Sequence, residues 1–250
     1  MTASLFLSRA RLRDDISATS VVELLGSSGP GHALAGHRLV WTLFADDPER
    51  ERDFLWREDE RGRFYILSTR PPEDRRGLFE LDPPRAFSPA LRAGDRLRFA
   101  LRVNATVARR TDDENKRGKP RDIVMDALFR SGAAADTRAA VRARLLHGVA
   151  HAWLASRGRR HGFSLVSPSL DAATHHEDWE EGGTEPFRVL GYRAVRIPRS
   201  GGAQPMRIGV LDLEGELVVD DGDALIAGIA RGFGRAKAFG CGLMLIRRRP

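Results

Sequence analysis

Residues 95–104, DRLRFALRVN, alternate without a break: Leu97, Phe99, Leu101 and Val103 fall on one side, Arg96, Arg98, Ala100 and Arg102 on the other. A period of two over that length describes a β-strand with one buried and one solvated face. The solvated face is expected to be arginine-rich. Such a strand needs neighbours, and the chain supplies them in a recurring order. Residues 4–12 read as a strand, and SSGPG (27–31) breaks the chain with turn residues. Residues 32–44 then carry helical periodicity. Residues 53–59 and 63–69 read as a hairpin around Glu60, Arg61 and Gly62. Pro71, Pro72, Pro83, Pro84 and Pro89 leave room for a short second helix or none. With 95–104 as the last strand, this is a β-α-β-β-(short)-β order, close to a ferredoxin-like unit.

A second pass follows. ARRTDDENKRGKPRD (108–122) is polar and highly charged, and is expected to be a mobile loop. Residues 137–158 form a helix with Val141, Leu145, Val149, Ala152 and Trp153 on one side. GFSLVSP reads as a strand and LDAATHHEDWEEGGTEP as an acidic loop. FRVLGYRAVRIP and MRIGVLDLEGELVV read as a long hairpin, residues 220–232 as a short helix ending at Gly232, and GLMLIRR as the final strand. The expected fold is α+β, two tandem ferredoxin-like domains (1–107 and 137–250) joined by a basic polar linker (108–136).

Charge narrows the partner. The formal net charge is +7 and the pI about 10.5. Lys116, Lys119 and Lys237 are the only lysines, so the positive charge is almost all arginine, whose planar fork suits phosphates and base edges. This balance points to a polyanion. Cys241 is the single cysteine, which excludes an intrachain disulfide and zinc-finger spacing. MTASLFLSRARL is too short an apolar run for a signal peptide, and no stretch approaches the roughly 18 apolar residues of a membrane span. A cytoplasmic location is expected.

ARGFGRAKAFGCGL (230–243) places Gly232, Gly234, Gly240 and Gly242 around Arg235 and Lys237. It fails the dinucleotide fingerprint, whose third glycine would fall at Lys237, and too little chain follows for a βαβ unit. Two readings stand. Its backbone amides bind a phosphate or let RNA approach closely, or it is a bent helix-to-strand connection.

GFGRAKAFGCGLMLI resembles the C-terminal glycine-rich loop of the CRISPR-associated RNA-processing endoribonucleases, in the CasE branch of the Cascade complex. HRLVWTLF with RDFLWRED, RLRFALRVN, and VAHAWLASRGRRHGF resemble that branch at matching places over most of the chain. The resemblance implies two ferredoxin-like domains. It implies metal-independent cleavage at the 3′ side of a CRISPR repeat hairpin by 2′-hydroxyl attack, leaving a 2′,3′-cyclic phosphate. The mature guide RNA would stay bound, with other Cascade subunits as partners and no cofactor, metal or membrane.

His37 occupies the family's catalytic position, and a histidine titrates near neutrality as proton transfer requires. On a helix it shares a face with Ala33, Val40, Trp41 and Phe44, so a buried structural histidine is the competing reading. Some relatives carry a tyrosine where Leu34 stands and a lysine or histidine where Thr42 stands, so the group that stabilises phosphorane charge is unassigned. Lys237, Arg235 and Arg38 are the candidates. His32 is a second base or an exposed turn residue. For RNA the candidates are Arg193, Arg196, Arg199 and Arg207 on the hairpin, and Arg109, Arg110, Lys116, Arg117, Lys119 and Arg121 in the basic loop, together with the four loop glycines. The hairpin arginines also suit a solvated edge that resists aggregation. His175 and His176 beside Glu177 and Asp178 read as an acidic surface loop, and His147 and His151 as surface or partly packed groups. The alternatives to an enzyme are a non-catalytic RNA-hairpin-binding subunit and a duplex-DNA-binding regulator.

Overall fold

The alternating strand lies in the middle of a sheet, and it is not the sheet expected from chain order. The computed structural model describes residues 4–15, 32–46, 49, 51–109, 118–166, 186–197 and 204–248. A first antiparallel sheet contains β1 (Phe6–Leu12), β2 (Phe54–Glu58), β3 (Arg63–Ser68) and β4 (Phe79–Leu81) in the order β2-β3-β1-β4, with the short β5 (Arg85–Ala86) also pairing β1. Helix α1 (His32–Trp41) and a 3-10 turn (Thr42–Phe44) lie between β1 and β2 in the chain. No helix stands between β3 and β4, as the prolines there imply.

In the second sheet β6 (Arg96–Val103) is hydrogen-bonded on one side to β11 (Met206–Val219) and on the other to β12 (Met244–Arg248), and β10 (Phe187–Ile197) pairs the far edge of β11. Counting β6, α3 (Arg138–Gly158), β10, β11, α4 (Gly222–Arg231) and β12, the unit is a complete βαββαβ in the order 2-3-1-4. β9 (Phe163–Leu165) extends the sheet along β11. The fold is therefore two ferredoxin-like units, but β6 opens the second rather than closing the first, and the expected boundary at 107 is wrong. The alternation fixed which face of β6 is buried, with Leu97, Phe99, Leu101 and Val103 all inside. It carried no information on which strands would flank it.

The segment 108–136 is likewise more than a linker. It contains β8 (Pro120–Asp122), which pairs with β7 (Thr106–Ala108), and helix α2 (Ile123–Arg130). The Asp122 carboxylate caps α2 by accepting from the Val124 and Met125 amides at 2.9 and 3.0 Å. The charge of the flanking residues masked the short amphipathic run IVMDALFR. In α3 the buried residues are Ala150, Trp153, Leu154 and Gly158, while Ala152, expected inside, is exposed. Among the described residues no helix is long and apolar enough to cross a membrane.

The two units share a core. One face of the first sheet is covered from α1 and its 3-10 turn by Val40, Leu43 and Phe44, packed on Phe54, Trp56, Phe64 and Ile66. The opposite face places Leu55 and Leu67 in the core of the second unit with Phe233 and Leu243. Hence Phe54, Leu55, Trp56 and Arg57 in β2 are all buried, without the alternation of a half-exposed strand. Arg102 adds a polar tie: its Nε donates to Asp212 at 2.6 Å and its Nη1 donates to the Glu58 carbonyl of β2 at 2.8 Å. Arg193 donates to the second Asp212 oxygen at 2.6 Å. Burial alone would raise the Asp212 carboxyl; the hydrogen bonds and charges of Arg102 and Arg193 outweigh it and hold the group below its usual range.

Replacing Asp212 with Ala leaves two guanidinium groups facing a mostly buried vacancy. The expected loss is about 3 kcal/mol in a urea unfolding titration. Because the native carboxyl titrates below its unfolded value, its stabilisation is full above about pH 4 and is lost as pH falls through the lowered value. The variant should therefore show a flatter acid limb of stability against pH.

Candidate active site

The glycine-rich stretch is a closed excursion between α4 and β12. The Phe233 amide donates to the Gly242 carbonyl at 2.9 Å and closes its neck. Gly242 donates to Arg102 O at 2.7 Å and Arg235 donates to Asn104 O at 3.1 Å, so both flanks are stitched to β6. Asn104 is buried, and its side-chain amide donates to the Gly209 carbonyl of β11 at 2.7 Å. One residue thus links the loop to the long hairpin. Gly232, Gly234, Gly240 and Gly242 all have positive φ, as does Ala236. At Gly240 (φ +73°) a Cβ would sit 2.9 Å from the Trp56 ring, and at Gly234 (φ +70°) 2.6 Å from the Asn104 carbonyl. The glycines are there for handedness and close approach together.

Helix α1 meets this loop across Trp56. A Cβ at Gly36 would lie 2.7 Å from the same edge of the indole that Gly240 contacts. His37 follows Gly36, and its ring centre is 6.4 Å from that of Phe239 in the loop. The imidazole is half-buried. Its Nε2 accepts a hydrogen bond from the Trp41 indole N–H at 3.0 Å, one helical turn on, which places the proton of the neutral ring on Nδ1. Nδ1 is buried and has no hydrogen-bond partner among the described residues. Burial, then the charges of Arg52 and Arg38, push the His37 pKa below 6.5.

Cations stand on the neighbouring elements. Lys237 is half-buried, donates to the Arg231 carbonyl at 2.5 Å, and has its pKa lowered by burial, then by Arg52 and Arg231. Arg52 therefore acts electrostatically on both His37 and Lys237. It lines, with Lys237 and Arg231, a cleft of about 800 Å³ between β2 and α4. Arg38 is exposed, and Arg235 is exposed with its backbone held by Asn104. Thr42 is buried and donates its hydroxyl back to Leu39 O at 2.7 Å, so it offers nothing to a substrate. The Cys241 thiol is pushed up to about 12 by burial and stays protonated.

The basic residues separate into two groups. Arg196 and Arg207 are direct cross-strand partners near the tip of the β10–β11 hairpin, both exposed and without an ion pair among the described residues. Like charges directly opposed destabilise a sheet unless an anion relieves them. Lys119 and Arg121 are exposed beside the β7–β8 ribbon. Arg193 and Arg109 do structural work instead: Arg193 holds Asp212, and Arg109 grips the buried Asp126 carboxylate with a two-pronged hydrogen bond. His147 and His151 pack edge-on against Phe187, with ring centres 5.2 Å apart in each case, as partly packed groups. Arg199, Arg110, Lys116, Arg117, His175, His176, Glu177 and Asp178 lie outside the described residues, as do the side chains of His32 and Leu34.

Trp41, Gly36, Arg52 and Asn104 were not anticipated as site residues. Trp41 was legible at i+4 from His37. Gly36 was legible too, since a glycine inside a helix costs about 1 kcal/mol and so signals a close approach. Arg52 and Asn104 had no local signal.

Fold and site define a pair of ferredoxin-like units in which a histidine helix is held against a glycine-rich, cation-bearing loop. The sequence matches the family described as CRISPR associated protein over residues 5–248, and the chain belongs to that family. Its fold is similar to that of the CRISPR endoribonuclease Cse3 bound to a 19-nucleotide RNA, at 22% identity over 99% of this chain and 100% of that one, with a TM-score of 0.65. Thermus thermophilus Cse3, bound to an RNA representing a pre-cleavage complex, aligns at 22% identity over 98% and 99% of the two chains, with a TM-score of 0.63. A chain of a CRISPR RNA-guided surveillance complex aligns at 18% identity over 98% and 100%, with a TM-score of 0.55. No curated protein matches the sequence.

Trp41→Phe removes the donor to Nε2 and so removes a bond that favours the neutral ring. The His37 titration midpoint, followed by NMR of the imidazole Cε1–H, should move up toward the ordinary histidine value while burial still holds it below. An unchanged midpoint would remove Trp41 from the site.

Proposed function

We propose that the protein is an endoribonuclease that cuts CRISPR repeat RNA at the 3′ side of its hairpin, with His37 as the proton-transfer group, and stays bound to the product as a subunit of a Cascade complex. The observation that carries this reading is the half-buried imidazole of His37, set against a loop that also presents Lys237. Family membership and the RNA-bound Cse3 fold support it. The 2′ oxygen bonds to phosphorus as the bond to the 5′ oxygen breaks. The 2′-hydroxyl proton passes to Nε2, the nitrogen with a lone pair, so the substrate hydroxyl displaces the Trp41 indole. The leaving 5′ oxygen takes a proton from water, and His37 afterwards releases the proton it accepted to solvent. Lys237 supplies positive charge to the phosphorane oxygens. The Arg196–Arg207 doublet takes phosphates of the stem, which A-form RNA presents by shape.

With His37 as base, its lowered pKa keeps the reactive neutral form through neutrality. The cleavage rate should be flat there and fall only as pH drops below 6.5, through the lowered value. His37→Ala should slow cleavage of the host repeat RNA by about 10²–10⁴-fold while hairpin affinity persists. The reaction should proceed in EDTA and leave a 2′,3′-cyclic phosphate. Cleavage near the wild-type rate in the variant would make the histidine structural, and a preference for a DNA duplex of the same sequence would end the RNA reading.

Arg196→Ala/Arg207→Ala should relieve the cross-strand repulsion and weaken hairpin binding. The log–log slope of affinity against salt should become shallower by about 1.4–1.8, two phosphate contacts.

A further inference from the structure

Apart from Lys237 in its lining, the cleft between β2 and α4 is not used by the reaction as described. It holds about 800 Å³, within the range of small-ligand pockets of about 300–1,000 Å³. One wall is the α4 face of Asp223, Ile226, Ala227, Ala230 and Arg231, spaced at helical intervals; the other is Leu55 of β2 with Leu5 and Leu67. Arg52, Lys237 and Arg231 supply positive charge. Of the cleft's two acids, Asp53 is neutralised by Arg70 at 2.8 Å, which leaves Asp223 in the first turn of α4. Apolar walls with several cations suit a base and its phosphate.

Its position says which nucleotide. On the other side of the glycine loop, Phe239 and Gly240 line a smaller recess with Arg193, Val195 and Ile208 of the hairpin. Lys237 lines the cleft instead, so the loop, with His37 against it, stands between hairpin and cleft. Phe54 borders the cleft and packs its ring 5.1 Å from Trp41, which donates to His37, so the cleft and the imidazole lie on neighbouring residues. A strand leaving a stem held on the hairpin crosses His37 and arrives at the cleft.

We propose that this cleft binds the unpaired RNA immediately 3′ of the scissile phosphate, with base against α4 and phosphate toward Arg52 and Lys237. This rests on the proposed hairpin cleavage at His37. Binding, not activity, tests it: the repeat hairpin carries a 2′-deoxy substitution at the cut nucleotide, and its affinity is compared with and without a short unpaired 3′ tail. The tail should strengthen binding to the wild-type protein about tenfold, the scale of one base laid on an apolar wall with its phosphate neutralised. In Ala227→Trp, which fills the cleft from an exposed position, the ratio should fall to about one, and in Arg52→Ala it should fall part of the way. A wild-type ratio of one, or a full ratio in Ala227→Trp, overturns the proposal. If circular dichroism shows that Ala227→Trp does not fold, a 4-thiouridine at the first tail nucleotide decides. Crosslinks from it to α4 or to the segment carrying Arg52 support the proposal, and crosslinks confined elsewhere overturn it. A protein that binds no hairpin defeats the earlier reading, whereas one that binds it but ignores the tail defeats only this one.

Discussion

The arrangement of the site depends on Trp56. Its indole edge is gripped between Gly36 of α1 and Gly240 of the loop, where a single Cβ on either side would come within 2.7–2.9 Å. The ring is buried on a strand whose two faces serve two cores. It therefore sets the spacing between a helix of the first unit and a loop of the second. His37 follows one of those glycines and Phe239 precedes the other, so the imidazole inherits its place from a packing contact. Close-packed interiors transmit such constraints because they have little free volume.

The charge distribution follows a division of labour. Where an arginine is needed to hold the fold, a buried carboxylate meets it: Asp212 for Arg102 and Arg193, Asp126 for Arg109. Where none is met among the described residues, the positive charge is left facing outward on Arg196 and Arg207, or half-buried on Arg52, which acts on the imidazole, and on Lys237 of the loop. Unrelieved like charge costs stability in the free protein and is recovered when an anion binds. Burial first, then the charges of Arg52 and Arg38, lowers the His37 pKa and favours the neutral ring, the form that accepts a proton.

Much of this was legible before the fold was known. Period-two alternation marked β6 and the face it buries, prolines left room for a short second helix in the first unit or none, and the cluster of glycines announced a bent helix-to-strand connection. What misled was local charge. The segment 108–136 looked like a linker because its polar residues outnumber its apolar ones, yet IVMDALFR within it is a capped helix. Arg109 and Arg193 looked like RNA contacts because their carboxylate partners are 17 and 19 residues away in the chain.

By itself the sequence located β1 to β3 and α1 of the first unit, the principal strands and helices of the second, and the glycine-rich loop, since periodicity and glycine content are local properties, while the resemblance singled out the histidine. Only the tertiary structure decided which sheet receives β6, which arginines are consumed by carboxylates, and that Arg52 bears on both His37 and Lys237. Those outcomes depend on strand pairing and on groups brought together across the chain, and neither leaves a mark on the residues nearby.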